Sequence, residues 1–286
     1  MRTIKSVHKA ISTPIDDLVT YNALPGDSLS LETLNPFIFL NHHGPQVYPA
    51  NNNGLPFGPH PHRGMETVTF ILDGDIKHKD SGGFESVITA GGIQWMTAGR
   101  GLIHMETSSD EFKKNGGPLE ILQLWLNLPA KDKMKEPFYS GLQKKDIPEI
   151  KINDSKVTVN LISGKWEDTK GAFESITDVL LSTIFFKPGS TLTLDVPEDN
   201  QVFFYIIKGK LNVNKKEINA FNLVLFDHDS KEIKIESASD SILLFGHAKP
   251  LNERIVAQGP FVMNSQQEIL EAYRDYRNGK FGIWQD

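Results

Sequence analysis

Cysteine is absent from this sequence of 286 residues. Without a thiol the chain can form no disulfide, no iron–sulfur cluster and no thiolate zinc site, and it has no cysteine nucleophile. Any metal would therefore be bound through histidine, aspartate or glutamate side chains. The sequence contains nine histidines, so a histidine-based metal site is a hypothesis to test against the order of the residues.

The chain also lacks an excess of basic residues. Its 30 Lys and Arg stand against 36 Asp and Glu, which gives a formal net charge of −6. Nucleic-acid-binding surfaces are basic, so this balance argues against direct contact with DNA or RNA. An acidic chain is better suited to contacts with other proteins.

Long apolar runs are missing too. A membrane-spanning helix needs about 20 apolar residues, whereas the run from Val179 to Phe186 is interrupted by Ser182 and Thr183. The first residues lack the continuous apolar stretch of a signal peptide. We therefore expect a soluble, cytoplasmic protein that does not contact a membrane.

The dominant pattern is a series of short strand-like segments. Eight segments rich in Val, Ile, Leu, Phe and Thr are separated by turn residues. They are Met65 to Leu72, Ile93 to Thr97, Leu119 to Leu128, Val157 to Ile162, Leu180 to Phe186, Gln201 to Ile207, Asn222 to Phe226 and Ser241 to Phe245. In the third segment, leucines at every second position predict a strand with one packed face. Many short strands without alternating helices predict an all-β protein built as barrels or sandwiches.

A lysine-rich stretch, Ala130 to Lys156, interrupts the strand pattern and predicts a connection between two β units. We accordingly predict an N-terminal metal-binding domain at residues 1–130, a linker region at 131–156 and a C-terminal domain at 157–286.

The two units resemble a divergent repeat. Aligning Gly74 with Gly209 superposes Glu66-Thr-Val-Thr-Phe-Ile-Leu-Asp-Gly on Gln201-Val-Phe-Phe-Tyr-Ile-Ile-Lys-Gly. This register places His60 on Asp195 and His62 on Pro197. It predicts that the second unit has kept the strand and lost both histidines.

One helix is predicted near the end of the sequence. Ser265-Gln-Gln-Glu268 fits a capping box, in which the Ser side chain bonds to the amide three residues later. Ile269, Leu270, Tyr273 and Tyr276 follow at helical spacing and predict an apolar face that packs on a β unit. Gly279 suits the position just after a helix.

Two pairs of potential ligands stand out. His60 and His62 are two residues apart, and so are His104 and Glu106. Residues i and i+2 of a strand point to the same face, so each pair would direct both of its side chains at one point. Pro61, which lacks an N–H, indicates a strand start or an edge strand. Two such strands facing each other predict a metal site with three imidazoles and one carboxylate.

Glu66 competes with Glu106 for the carboxylate position. At the rise of a straight strand, Glu66 lies about 13 Å from His62, whereas Glu106 lies about 6.6 Å from His104. A bulge at Arg63-Gly64 would shorten the first distance, so Glu66 stays in reserve and Glu106 is preferred. Nitrogen and oxygen ligands without thiolate suit Fe(II), Mn(II), Ni(II), Co(II), Cu(II) and Zn(II).

Other histidines have simpler interpretations. His42 and His43 are candidates for the mouth of a pocket. His78 lies between two lysines, which favours a solvated side chain.

The same residues resemble the motifs of the cupin superfamily. Gly54, five residues, His60-x-His62, three residues and Glu66 are similar to the first cupin motif, although Gly74 follows after seven residues instead of six. Gly101-x-x-His104 is similar to part of the second motif, with Gly99 at the usual Pro and Ser108 at the usual Asn.

These departures are themselves typical of one subgroup, the pirin family. Four stretches resemble it: His60-Pro-His-Arg-Gly-Met-Glu-Thr-Val-Thr, Gln94-Trp-Met-Thr-Ala-Gly-Arg-Gly, Leu122-Gln-Leu-Trp-Leu-Asn-Leu-Pro and Gly259-Pro-Phe-Val-Met-Asn264. The resemblance spans nearly the whole chain. Met65 replaces a Phe of the family.

The resemblance implies two antiparallel β-barrel cupin domains of the jelly-roll type, with one Fe(II) in the N-terminal domain and a degenerate C-terminal domain. The family's ligands fall on His60, His62, His104 and Glu106, and Glu106 is also our candidate proton acceptor. Some pirins open the flavonol quercetin with O₂ and release carbon monoxide. Others are described as iron-dependent redox switches that bind transcription regulators.

We therefore expect an Fe(II)-dependent flavonol dioxygenase with a small aromatic substrate. The alternative is a non-catalytic, metal- or redox-dependent regulator that binds a protein partner. We expect a monomer in either case.

Overall fold

The computed structural model describes residues 1–26 and 29–284. Twelve strands and one short helix make up the first part of the chain. They are β1 (Ile4–Lys9), β2 (Ile11–Ser12), β3 (Thr20–Leu24), β4 (Phe37–Tyr48), β5 (Phe57–His62), β6 (Met65–Asp73), β7 (Asp75–Asp80), β8 (Glu85–Thr89), β9 (Ile93–Thr97), β10 (Leu102–Thr107), α1 (Asp110–Asn115), β11 (Gly117–Asn127) and β12 (Phe138–Leu142).

Fourteen strands and one longer helix follow. They are β13 (Glu149–Ile152), β14 (Val157–Ser163), β15 (Lys165–Trp166), β16 (Thr169–Lys170), β17 (Leu180–Phe186), β18 (Ser190–Asp195), β19 (Gln201–Lys208), β20 (Lys210–Val213), β21 (Lys216–Asn219), β22 (Asn222–Phe226), β23 (Glu232–Ser237), β24 (Ser241–Ala248), β25 (Val256–Gln258), β26 (Phe261–Met263) and α2 (Gln266–Arg277). The expectation of an all-β fold with a C-terminal helix is confirmed, and all eight predicted segments form strands. No helix in the described part of the chain has the length and apolarity that crossing a membrane requires.

The strands form two β-barrels of the same design. In the first, a seven-stranded sheet with the order β12-β9-β6-β11-β4-β3-β2 faces a four-stranded sheet with the order β5-β10-β7-β8. In the second, the order β1-β22-β19-β24-β17-β14-β13 faces β18-β23-β20-β21. Strands at the same place in the two barrels therefore correspond. In the four-stranded sheets β5 and β10 correspond to β18 and β23, and in the large sheets β6 and β11 correspond to β19 and β24. This shared order supports the divergent repeat.

Chain segments cross between the two barrels. The first strand, β1, pairs with β22 and so belongs to the large sheet of the second barrel. Between the predicted domains, β12 pairs with β9 of the first barrel and β13 pairs with β14 of the second. A short 3₁₀ turn at Ala130–Asp132 precedes β12, and another at Lys144–Asp146 separates β12 from β13. The division at residues 130 and 156 stays a prediction.

The two large sheets pack face to face. One apolar cluster combines Leu122, Leu124 and Leu126 of β11 with Phe203 and Tyr205 of β19. Each fully buried leucine contributes about 1.5–3 kcal/mol of hydrophobic free energy. The leucines of β11 therefore face the neighbouring barrel, and the alternate residues of β11 face the interior of their own barrel.

The interiors of the two barrels differ in polarity. The second is filled by aliphatic and aromatic side chains, among them Val202, Phe204 and Ile206. In the first, buried polar side chains occupy the corresponding volume, among them Thr69, Gln94 and Glu106. The first barrel therefore keeps polar groups together in its interior, whereas the second barrel has an apolar core there.

Helix α2 begins and ends where the sequence predicts. The Ser265 side chain accepts a hydrogen bond from the amide of Glu268 at 3.3 Å, and Gly279 has a φ of 72° directly after the helix. Ile269 packs in a cluster with Phe261 and Phe281. The prediction that Leu270 shares this face is wrong, because 61% of its surface is exposed; adjacent helical residues lie about 100° apart around the axis.

Candidate metal centre

Strand β5 delivers two histidines from the edge of the four-stranded sheet. It pairs antiparallel with β10, and the register places His60 opposite His104 and His62 opposite Leu102. The sheet order leaves β5 without a second neighbour in this sheet, which confirms the edge position inferred from Pro61. Between Phe57 and His60, β5 has one residue more than the facing stretch of β10, so a bulge of β5 precedes the first histidine.

The three imidazoles converge inside the first barrel. One nitrogen from each of His60, His62 and His104 lies within 4.8 Å of the other two. The ring centroids are 4.3 Å apart for His60 and His104, and 4.9 Å apart for each of the other two pairs. His62 and His104 are buried, whereas His60 is partly exposed. The sequence prediction that these histidines meet is thus supported by the tertiary structure.

Hydrogen bonds orient two of the rings. The Nδ1 atom of His60 lies 2.7 Å from the carbonyl oxygen of Gly58, and that of His62 lies 3.3 Å from the carbonyl oxygen of Pro260. A carbonyl oxygen only accepts, so Nδ1 carries the proton in both rings. The Nε2 lone pairs are then available to a metal.

The third ring, that of His104, differs from the other two in its hydrogen bonding. Neither nitrogen of the buried His104 has a hydrogen-bond partner among the described residues. Leaving such polar atoms unpaired is unfavourable, and a metal ligated by one nitrogen would remove part of that penalty. The residues present therefore fit a transition-metal ion.

The cluster is held in the form that binds metals. Burial, reinforced by the neighbouring His60, lowers the pKa of His62 to about 3. Burial and the neighbouring histidines lower the pKa of His104 well below its ordinary value. Both rings are therefore neutral near pH 7, and neutral imidazole is the metal-binding form.

Glu106 lies beside the histidine cluster, outside the group of three. Its buried carboxylate accepts hydrogen bonds from Gln123 at 2.6 Å, from Thr69 at 3.2 Å and from Gln94. These neutral donors orient the carboxyl group. The assignment of Glu106 as the fourth ligand and as proton acceptor stays a prediction.

Glu66 occupies the opposite face of its strand. It has the same parity on β6 as Val68 and Phe70, which pack between the barrels, whereas Thr69 contacts Glu106. Its carboxylate accepts a hydrogen bond from Thr97 at 2.7 Å. The bulge that would bring Glu66 to the histidines is therefore not observed, and Glu66 is no alternative ligand.

His78 is a residue of the site that sequence analysis missed. The prediction of a solvated side chain is wrong: His78 is fully buried, its ring stacks on Tyr139 at 3.8 Å, and its Nε2 atom lies 2.9 Å from Asp80. Its centroid is 5.5 Å from that of His104. The sequence does contain a pattern that predicts the burial of His78. Ile76, His78 and Asp80 alternate with lysines, and the inward residues of a strand recur at every second position.

His42 and His43 point to different environments because they are adjacent on β4. His42 bonds Tyr205 of the second barrel at 3.0 Å and Glu120 at 2.9 Å, inside the interface between the barrels. His43 bonds Thr20 at 2.9 Å. The expectation that both line one pocket mouth is wrong, since successive strand residues face opposite sides.

Aromatic rings border the cluster. Trp125 packs edge-on against His62 at 5.2 Å and stacks on Phe39 at 4.4 Å. The indole Nε1 of Trp125 is buried without a hydrogen-bond partner in residues 1–26 and 29–284. The site thus combines a flat apolar wall with an unsatisfied donor.

The corresponding positions of the second barrel carry no ligands. Strand pairing places His60 opposite His104 and Phe57 opposite Glu106 in the first barrel; the second has Leu194 opposite Ile233 and Leu192 opposite Ile235. The histidine positions thus correspond to Leu194 and Val196, one residue before the predicted Asp195 and Pro197. The loss of ligands is as expected, but the register is corrected by one residue.

Two jelly-roll barrels of the same strand order define the chain as a bicupin, and within the described residues a histidine cluster that could hold a metal occurs in the first barrel. Family comparison agrees with the geometry: the family described as pirin matches residues 19–126, and the pirin C-terminal cupin domain matches residues 182–282. The chain belongs to the pirin family.

Individual relatives extend over almost the whole chain. A Pseudomonas aeruginosa protein provisionally named a quercetin 2,3-dioxygenase is 35% identical over 94% of this chain and 92% of its own. The crystal structure of a quercetin 2,3-dioxygenase from Acinetobacter baumannii has a TM-score of 0.92 and 34% identity, covering 99% of both chains. The nickel(II) complex of the Escherichia coli pirin YhhW shares the fold, with a TM-score of 0.67 and 20% identity, over 86% of this chain and 99% of that one.

Proposed function

We propose that this protein is an Fe(II)-dependent dioxygenase that opens the heterocycle of flavonols such as quercetin, taking up O₂ and releasing carbon monoxide. The observation that carries the proposal is the convergence of three imidazoles inside one barrel, of which those of His62 and His104 are buried and neutral. The similarity to a quercetin dioxygenase over the full length supports the choice of reaction.

We assign His60, His62 and His104 as the residues that hold the metal, one ion per chain, with Glu106 as the fourth ligand. Three imidazoles and a carboxylate suit several divalent ions. Fe(II) bound there would supply Lewis-acid and one-electron chemistry toward an enolate and dioxygen. The residues of the chain supply the rest of the reaction: they bind, orient and deprotonate the substrate.

Glu106 is the residue that we assign to the proton transfer. A flavonol hydroxyl must lose its proton before the ring carbon becomes nucleophilic, and the acceptor must lie within hydrogen-bond reach. Gln123 and Gln94 donate hydrogen bonds to the Glu106 carboxylate and orient it. The substrate proton would pass to a carboxylate oxygen of Glu106, which leaves the enolate in place.

The aromatic wall fits a flat substrate. Trp125 and Phe39 form a stacked pair beside His62, and planar aromatic ligands stack favourably on such surfaces. The unsatisfied Nε1 donor of Trp125 would bind a carbonyl or hydroxyl oxygen of the flavonol. These contacts would orient the ring with its oxygens toward the histidines.

Oxygen uptake tests the proposal directly. Protein purified without oxygen and loaded with Fe(II) is mixed with quercetin, and O₂ consumption is recorded together with carbon monoxide release. We expect uptake by the native protein and its loss in His60→Ala and His104→Ala. His228→Ala, which alters an exposed histidine of the second barrel, is the matched control and keeps full activity.

Two outcomes would contradict the proposal in different ways. Unchanged activity in the two cluster variants would refute the assigned site. A native protein that binds iron yet consumes no O₂ with any flavonol would refute the reaction and leave the site standing.

A further inference from the structure

The C-terminal segment packs against the back of the strand that carries two of the histidines. Beyond the end of β5, Arg63 forms a parallel bridge with Phe261 of β26. The amide of Val262 donates to the carbonyl of Arg63 at 3.0 Å, and the amide of Arg63 approaches the carbonyl of Pro260 at 3.4 Å. The open edge of the metal-binding strand is thus closed by residues from the other end of the chain.

The C-terminal segment also contacts one of the candidate ligands, His62. The carbonyl oxygen of Pro260, in the turn between β25 and β26, accepts the hydrogen bond of His62 Nδ1. A histidine that ligates through one nitrogen depends on the bond made by the other for its tautomer and its orientation. The position of Pro260 therefore bears on the direction of the His62 lone pair.

Arg63 connects this turn to helix α2. Successive residues of a strand point to opposite faces, so His62 points into the barrel and Arg63 points out of it. The buried guanidinium donates to the carbonyl of Arg100 at 2.6 Å and to Asp275 of α2 at 3.0 Å. It also lies 4.6 Å from the ring centroid of Phe281.

The same contacts extend to the second ligand strand. Arg100 lies two residues before β10, which carries His104, and Arg63 follows β5 directly. The bond between them therefore joins the segments next to the two ligand strands. Phe281 presses on Gly101, where an added Cβ would lie 2.6 Å from the ring. Both strands of the cluster are therefore fixed from outside by one group, Arg63, Asp275 and Phe281, which we name the rear clamp.

Lys133 connects the β5–β6 turn to the C-terminal hairpin beside the rear clamp. Its buried ammonium group donates to the carbonyls of Gly64 and Val262 and to Asn127, at 2.6 to 2.9 Å. At Gly64, which has a φ of 80°, an added Cβ would lie 2.0 Å from the carbonyl oxygen of Val262. The C-terminal hairpin can therefore approach the β5–β6 turn only because position 64 is glycine.

We infer that Asp275 and Arg63 are positioning residues for the metal centre: through the rear clamp, the C-terminal segment orients His62 and the β10 strand that carries His104. This inference rests on the metal-binding part of the proposed function and not on the reaction. It gives the C-terminal helix a role in metal binding although it lies outside the first barrel.

Metal affinity provides the test. Co(II) is titrated into the metal-free protein, and its binding is measured by calorimetry and by its absorption spectrum. Perturbing the groups that orient metal-binding histidines lowers affinity by about 10- to 100-fold, so we expect Asp275→Ala to bind Co(II) about tenfold more weakly, with an altered spectrum at saturation. The conservative variant Asp275→Glu should recover part of the affinity.

Two controls separate positioning from stability. Glu271→Ala removes a carboxylate from the same helix outside the rear clamp, and Leu211→Ala destabilises the filled core of the second barrel; both should bind Co(II) like the native protein. In addition, ¹⁵N NMR of the metal-free protein should show His62 protonated at Nδ1 in the native chain and as a tautomer mixture in Asp275→Ala.

Native Co(II) affinity and an unchanged His62 tautomer in Asp275→Ala would overturn the inference. So would a native protein that binds no Co(II). A native protein that binds Co(II), loses affinity in Asp275→Ala and yet consumes no O₂ with quercetin would refute the flavonol reaction while supporting the positioning role.

Discussion

Buried ionisable side chains at the histidine cluster and between the barrels have different surroundings. Around the cluster, His62 and His104 are neutral because burial lowers their pKa, and Glu106 is surrounded by amide and hydroxyl donors. Between the barrels, Glu66 is buried among apolar residues with Thr97 as its hydrogen-bond donor. The first arrangement suits ligation and proton transfer, and the second suits a protonated acid.

Replacement of Glu106 tests its catalytic assignment. Glu106→Gln keeps the size of the side chain and removes its ability to take a proton, so we expect kcat for quercetin to fall by about 100-fold, a common contribution of general-base catalysis. Oxygen uptake on Fe(II)-loaded protein measures this. Glu120→Gln, between the barrels, is the control; activity above half of native in Glu106→Gln would remove the proton-transfer role.

Glu66 makes stability depend on pH. Burial raises its pKa from 4.5 to about 7, so the folded state holds this proton more tightly than the unfolded state does. The resulting penalty is absent below pH 4.5, grows as the pH rises toward 7 and is constant above, at about 3 kcal/mol. Glu66→Gln should therefore raise the free energy of unfolding at pH 8 by about that amount and change it little at pH 4.5.

Urea denaturation of the metal-free protein at both pH values measures this difference. Asp240→Asn, at an exposed position of the second barrel, serves as the control for general charge effects. A gain in Glu66→Gln that is equal at both pH values would show that Glu66 is not protonated in the folded state.

At the scale of elements, β11 and α2 show that apolar side chains spaced regularly along an element can differ in what covers them. Both faces of β11 are covered: Leu122 and Leu124 pack against the second barrel, and Gln123 reaches Glu106 inside the first. Helix α2 packs on the β25–β26 hairpin, with Ile269 in one cluster with Phe261 and Phe281, while Leu270 remains exposed. Its value to the site lies in Asp275, which holds Arg63.

The two neighbouring apolar residues of α2 should therefore differ in their effect on stability. Ile269→Ala removes a buried side chain and should lower the free energy of unfolding by about 2–5 kcal/mol. Leu270→Ala should change it by less than about 0.5 kcal/mol, as is usual on a surface. Thermal or urea unfolding of both variants measures the difference, and equal losses would mean that the helix packs by another face.

At the scale of the whole molecule, the two barrels share one strand order and differ in the side chains that fill their interiors. Apolar residues at Leu194, Val196, Ile233 and Ile235 fill the second barrel at the positions where the first has its candidate ligands. The second barrel instead supplies the partner surface for β11 and, through its C-terminal extension, the rear clamp. Hydrophobic burial fills its interior.

Metal stoichiometry and removal follow from this division. We expect elemental analysis to find one ion per chain, and chelation to leave the far-ultraviolet circular dichroism of the protein unchanged. At 100 times its dissociation constant, a bound metal stabilises the fold by about 2.7 kcal/mol, so the unfolding temperature should fall by only a few degrees. Unfolding on chelation would instead indicate a structural metal, and two ions per chain would contradict the corrected register.

Sequence patterns could predict which residues are chemically important more readily than where each one lies. The i, i+2 pairs His60/His62 and His104/Glu106 restrict side-chain direction by local geometry alone, so all four residues were expected to meet. The three histidines do, and ligation by Glu106 stays a prediction. His78 and Glu66 were misjudged because strand periodicity distinguishes two faces without telling what covers each. The repeat was off by one residue because the bulge in β5, between Phe57 and His60, is invisible in the sequence.

By itself, the sequence determined the strands, the capped C-terminal helix, the absence of thiol chemistry and the histidine pairs, because each depends on residue type and short-range spacing. Only the tertiary structure decided that β1 joins the second barrel, that the leucines of β11 face it, and that Arg63 binds Asp275 over 212 residues of chain. Such contacts arise from the packing of complete sheets, whose faces become distinct only when the barrels close and meet.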